Sequence, residues 1–169
     1  MDKHGRIPGW LNELAFVPVD MQADAAVDEW SRDKGTGVMY FSQQAVNKLL
    51  PAAKILLPEK MGQPERLKEV QKLMAQGDER AAKIYETIGI YLGCTMAQHA
   101  EFYDFEQALI LGRVTTGKGG DIVIATANEV MKRHFPEVAR KIELRVPDEK
   151  SRRVGQAVAA ASLPALKKK

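Results

Sequence analysis

Apolar side chains recur along most of this chain at intervals of three and four residues, the period of a helix with one buried face. From Ser42 onward Val46, Leu49 and Leu50 share a face, and Pro51 ends the run. A second helix is predicted with Pro64 in its first turn; it carries Leu67, Val70, Leu73 and Met74 inward and stops at Gly77. Asp78 can cap a long third helix, whose stripe is Ala81, Tyr85, Ile88, Leu92, Met96 and His99. On a neighbouring face Gly89, Gly93 and Ala97 stand four apart. Small residues there cost helix propensity, up to about 1 kcal/mol per glycine against alanine, so the spacing predicts a close approach by another backbone. A further helix is expected from Asp121 to Phe135, with Ile122, Ala125, Val130 and Met131 inward and Pro136 following.

Period-two and continuous apolar runs are scarcer. Ala108 to Leu111 form a short apolar run, and Ile142, Leu144 and Val146 alternate with charged residues, which predicts a half-buried strand. Leu14 to Val19 could form a third, weaker strand within an otherwise irregular segment, residues 1–41, punctuated by Pro8, Gly9, Pro18, Gly35 and Gly37. Trp10 and Trp30 in that segment are expected to anchor loop packing. Beyond the last strand, Asp148 caps an expected final helix with Val154, Gly155, Val158 and Ala159 on its apolar face. Residues 42–169 thus read as one helix-rich α/β lobe with few strands, the first 41 residues joining the same domain. So few strands make a small open sheet, and more are expected from another polypeptide, a second copy included, or from a missing segment.

Composition narrows the setting. A chain of 169 residues suits one hydrophobic core, and 45% hydrophobic with 28% charged residues is ordinary for a soluble protein. The net charge of +3 owes much to Lys167, Lys168 and Lys169; elsewhere basic and acidic residues interleave, so nucleic-acid binding is not expected. Cys94 is the single cysteine, which excludes an intrachain disulfide and a cysteine-based zinc cluster within this chain and fits a reducing, cytoplasmic setting. No apolar stretch has the length of a membrane span, and the first residues lack the apolar segment of a secretory signal.

The chemistry-bearing stretch is Gln107 to Asp121, an apolar run that empties into a glycine-rich loop before a helix. Such a loop can present backbone N–H groups and a partial positive charge to a phosphate or nucleotide; equally, its glycines can serve only to turn a strand into a helix. Gly112 to Gly119 match the Gly-x-x-x-x-Gly-Lys pattern of a phosphate-binding P-loop, but Gly119 stands where serine or threonine would hold magnesium, so Lys118 reads as an exposed loop lysine. His4, His99 and His134 lack metal-ligand spacing, and His99, on the apolar stripe, reads as a hydrogen-bonded core residue. Ser151, Arg152 and Arg153 could meet an anion near a helix start but read first as a solvated face. Asp20, Asp24, Asp28, Glu29 and Asp33 lack the regular spacing of a calcium loop.

The succession Tyr85–Gly93, Phe105–Val114, His134-Phe-Pro136 and Val154–Ala161 resembles the C-terminal half of the ROK sugar kinases and related repressors, members of the actin, hexokinase and Hsp70-like superfamily. The resemblance implies part of a ribonuclease H-like, actin-like ATPase C-terminal lobe. It also implies that Gly112, Thr115, Gly117, Gly119 and Gly120 contact the adenosine part of ATP, with magnesium accompanying it, and that Asn12 to Phe16 are a degraded sugar-contacting element with Glu13 as the sugar ligand. Phe16 replaces the family's histidine there, and no cysteine lies in Lys34–Phe41, where zinc-binding members carry a cysteine cluster, so no zinc is expected. The first-lobe phosphate loop and the catalytic aspartate are absent, so no catalytic residue is assigned. The expectation is a fragment of an ATP-dependent, glucokinase-like sugar kinase, inactive without an N-terminal lobe; the alternative is a non-catalytic sugar-sensing or assembly module related to the repressors.

Overall fold

A computed structural model describes residues 14–147, so Glu13, Trp10, Ser151, Arg152, Arg153 and the helix expected after Asp148 lie outside the described residues. Six α-helices and two strands follow one another among them: α1 (Val38–Phe41), α2 (Gln43–Leu49), α3 (Gln63–Ala75), α4 (Glu79–Ala100), β1 (Gln107–Leu109), α5 (Gly117–His134), α6 (Pro136–Lys141) and β2 (Glu143–Arg145). The architecture is helix-rich, with a small parallel sheet, and is compatible with the α/β class.

Local signals set most boundaries. Ser42 caps α2 by accepting from the Gln44 N–H at 3.0 Å, while its hydroxyl donates to the Val38 carbonyl at 2.6 Å. Pro64 occupies the first turn of α3. That helix closes on Gly77, whose φ of +83° lets the chain reverse so that the Asp78 N–H donates to the Leu73 carbonyl at 3.0 Å. Asp78 then caps α4 by accepting from the Arg80 N–H at 2.8 Å. Hydrogen bonding and charge from Arg80 hold the Asp78 carboxyl down to about 2.

Every member of the expected α4 stripe is buried: Ala81, Tyr85, Ile88, Leu92, Met96 and His99. The neighbouring face is set by contact with α5. A β-carbon at Gly89 would lie 2.7 Å from the Val123 carbonyl oxygen, and one at Gly93 would lie 2.8 Å from that of Ala127. The close approach expected from the glycine spacing is present, and its partner is α5. That helix starts at Gly117, four residues before the expected start, so the second half of the glycine-rich loop is its first turn. Its buried residues are Val123, Ala127 and Met131, with Gly119 and Gly120; of the residues expected inward Met131 is buried, Ile122 and Val130 are partly buried against the core and α4, and Ala125 alone is exposed, a correction at that position. That exposure follows from α4, because the glycine face accepts the backbone at Val123 and Ala127 and so turns Ala125 away.

β1 and β2 pair in parallel with Ala108 opposite Leu144. The Glu143 N–H donates to the Glu106 carbonyl and the Ile110 N–H to that of Arg145, each at 2.8 Å. Ile142 and Leu144 point into the core with Phe105, Val114 and the α4 stripe. A strand at Leu14–Val19 does not form. Leu14–Phe16 make a 3₁₀ turn, and the bridges in this segment, Pro18 with Thr36 and Val27 with Lys34, are isolated ones. Its buried anchor is Asp28, which accepts from the Ser31 N–H at 2.9 Å and from Gln44 Nε2 at 3.0 Å. Trp30 is 92% exposed and is no packing anchor, since the Asp28 carboxylate, rather than the indole, fixes the turn. No helix among the described residues is long and apolar enough to cross a membrane.

His99 is in the core as expected, but neither ring nitrogen has a hydrogen-bond partner, and its ring meets Tyr103 edge-on at 6.2 Å. Burial alone pushes its pKa below the usual 6.5. The unfolded chain therefore holds more protons than the folded one just below pH 6.5, and stability should fall as pH drops through that window. Urea midpoints measured against pH should show this loss, and His99→Leu should flatten it. Gly93→Val should lower stability by about 2–3 kcal/mol in urea titrations, because a packed carbonyl must move to admit the side chain.

Candidate functional site

The candidate site is the turn between β1 and α5, at the carboxyl end of a strand in a parallel pair and at the amino end of an 18-residue helix. Crevices outside the carboxyl ends of parallel strands are where α/β sheets hold ligands, because the loops there are free of the ladder and helix N-termini point into them. The chain leaves β1 through Gly112, whose φ of +115° is accessible to few other residues. A 3₁₀ turn over Arg113–Thr115 follows, with Val114 buried beneath it.

The two threonines of the turn are engaged within it. Thr115 Oγ1 donates to the Gly112 carbonyl at 2.8 Å, and Thr116 Oγ1 to that of Arg113 at 2.7 Å. From α3, Gln71 Nε2 reaches across to Thr116 Oγ1 at 2.9 Å and the Arg113 carbonyl at 3.2 Å, clamping the turn to a helix some forty residues earlier in the chain. Thr116 precedes α5 but makes no side-chain cap, so the first backbone N–H groups of α5 are not satisfied by a capping side chain.

The residues assigned to nucleotide by resemblance divide into two groups. Gly112 and Gly117 are exposed, and a β-carbon at either would meet nothing within 4 Å. Thr115, Gly119 and Gly120 are buried in the turn's own packing. A β-carbon at Gly119 would lie 2.5 Å from Cε1 and Cζ of the Tyr85 ring, and one at Gly120 would run into the Thr115 carbonyl. Lys118 is exposed, as expected, on the first turn of α5 rather than in a loop.

Tyr85, on α4, forms the floor of this turn. It is fully buried, its hydroxyl has no partner, and burial raises its pKa to about 12, so it is a neutral phenol throughout the physiological range. Sequence periodicity identified Tyr85 as a core residue but not as the surface on which Gly119 rests; that relation joins helices far apart in the chain. The Gln71 clamp likewise carries no local signal. Among the described residues, no three His, Cys, Asp or Glu side chains come together to hold a metal ion.

No known protein-family profile matches the chain, and no curated protein matches it significantly.

Because the Tyr85 hydroxyl is buried without a partner, Tyr85→Phe should leave the protein as stable or stabilise it by about 1 kcal/mol. Gly119→Val, which must displace the ring or the helix, should destabilise it by about 2 kcal/mol. Paired urea titrations of the two variants check both.

Proposed function

We propose that this chain is a C-terminal portion of a ROK-type, ATP-dependent sugar kinase that lays the turn from Gly112 to Gly120 against the nucleotide and transfers no phosphoryl group without a first lobe. The observation that carries the reading is the order β1, glycine-rich turn, α5, α6, β2 with β1 and β2 parallel, which puts the uncapped start of α5 at the carboxyl end of a strand. Gly112 and Gly117 leave their faces open to a ligand, while Gly119 and Gly120 bring α5 close enough to Tyr85 and Thr115 to hold the turn in place. The nucleotide would supply the transferable phosphoryl group. This chain's part is backbone N–H donors, a helix N-terminus and a rigid floor, which bind and orient. Magnesium would accompany the nucleotide. Glu13 would touch the sugar.

A non-catalytic sugar-sensing or assembly module is the second reading. It is favoured by the burial of Thr115, Gly119 and Gly120 in the turn itself and by the exposure of Leu109 and Leu111 along and just beyond β1.

The test mixes the purified chain with a separately produced first lobe of a ROK kinase and follows sugar-dependent release of ADP. Turnover should appear only in the mixture. Gly117→Asn suits the mixture because asparagine tolerates the positive φ and its side chain would project into the space assigned to nucleotide. It should reduce turnover at least about tenfold, a loss of roughly 1.4 kcal/mol of stabilisation, with little change in melting temperature. Full turnover by that variant would refute the nucleotide assignment. Stable association with no turnover on any hexose would favour the assembly module.

A further inference from the structure

The segment before α1 folds back on itself through the antiparallel bridges Pro18–Thr36 and Val27–Lys34, and the tip of this loop displays Trp30 at 92% exposure. Hydrogen bonds hold the tip in one shape. The Asp28 N–H donates to the Asp33 carbonyl at 2.9 Å, and the Arg32 N–H donates to that of Asp28 at 3.0 Å. The buried Asp28 carboxylate accepts from the Ser31 N–H and from Gln44 Nε2, which ties the turn to α2. An indole on a fixed support loses little freedom when it is covered, and tryptophan is concentrated among the residues that dominate protein interfaces. Around it Asp24, Glu29 and Asp33 are exposed and form no ion pair among the described residues. Five acidic residues against two basic ones lie from Asp20 to Lys34, in a chain whose net charge is +3, so the rest of the chain is basic.

The rim of the β1–α5 turn has the complementary character. Leu109 and Leu111 are 47% and 64% exposed. Arg113 and Lys118 follow them on the same turn, also exposed and without a carboxylate partner among the described residues; Asp121, one turn along α5, pairs with neither. Trp30 and both leucines are exposed in the one molecule and the loop is tied down, so the acidic tip does not cover this rim within its own chain.

We infer that the chain associates with a second copy of itself as a two-fold dimer, in which the Trp30 loop of each copy packs on Leu109 and Leu111 of the other and Glu29 and Asp33 face Arg113 and Lys118. A second copy is the occupant because the chain carries both halves of the contact and holds them apart. Two-fold symmetry uses each half once per copy and leaves neither open for a growing polymer. Covering the indole and the leucines drives the association, and the opposed charges set its orientation. The inference stands apart from the nucleotide reading: it is tested by the mass of the chain alone and that reading by turnover with a first lobe, so either can fail without the other.

Sedimentation velocity of the full chain over a range of concentrations is the test. The average mass should rise from one chain to two at micromolar concentrations, and added salt should dissociate the dimer. Trp30→Ala and Leu111→Ser, both at exposed positions, should each raise the dissociation constant at least about tenfold with an unchanged melting temperature. Glu29→Lys with Asp33→Lys should do the same. Joining those two changes to Arg113→Glu and Lys118→Glu should restore most of the lost affinity, because the charges are then exchanged across the contact. A chain that stays monomeric at every concentration, or one that grows into an open polymer, would overturn the inference. So would a dimer indifferent to Trp30 and Leu111, or a charge-exchanged variant that stays dissociated.

Discussion

The contact on which the rest of this molecule depends is the approach of two backbones, that of α4 at Gly89 and Gly93 to that of α5 at Val123 and Ala127. At these separations no β-carbon fits, because the Val123 and Ala127 carbonyls together with the Thr126 and Val130 side chains of α5 lie directly against the glycine backbone. Glycine is a poor helix former, and its presence within the 22-residue α4 is offset by the apolar area that the close crossing removes from water. With α5 fixed in this way, its buried stripe falls on Val123, Ala127 and Met131, which pack on the α4 stripe. Through α6 the same constraint delivers β2 alongside β1.

The start of α5 is positioned by the same pair of helices. Gly119 rests on the Tyr85 ring, so the βα turn has a rigid aromatic floor, and the Gln71 clamp from α3 fixes its outer side. A turn held from below and from one side has its remaining freedom at Gly112 and Gly117, the two positions with positive φ and open faces. Glycines in one short segment therefore serve unlike ends: two permit backbone conformations, and two permit packing. The first pair leaves room for a ligand and the second fixes where a ligand would lie.

The residues that sequence reasoning placed well and those it misplaced differ in the range of the interaction involved. Ser42, Pro64, Gly77 and Asp78 act on backbone groups within a few residues of themselves, and the helix ends they mark are found where expected. The α4 stripe was legible because a long helix repeats its signal over many turns. The α5 face was legible in part: Met131, Ile122 and Val130 face inward as expected, whereas Ala125 is exposed and Val123 and Ala127 hold the centre of the face, where their carbonyls meet the glycines of α4. Leu14–Val19 has the composition of a strand but finds no ladder partner beyond isolated bridges, and its neighbour Trp30 lies outside the packing because Asp28 organises that turn. His99 was expected in the core and is there, but without the hydrogen bonds that usually accompany a buried imidazole.

By itself, then, the amino-acid order determined the helices with strong caps and long stripes, the two main strands, the glycine-rich turn between β1 and α5, and the presence of a close-packing face on α4. These follow from hydrogen bonding and periodicity over a few residues, which the chain carries wherever it folds. Only the tertiary structure decided that the partner of that face is α5, that Tyr85 underlies Gly119, that Gln71 clamps the turn, and that Val19 and Tyr40 join Cys94 and Thr95 around one cavity. Each of those relations joins positions separated by many residues, and they exist only because burial of the core brings the separate elements into register.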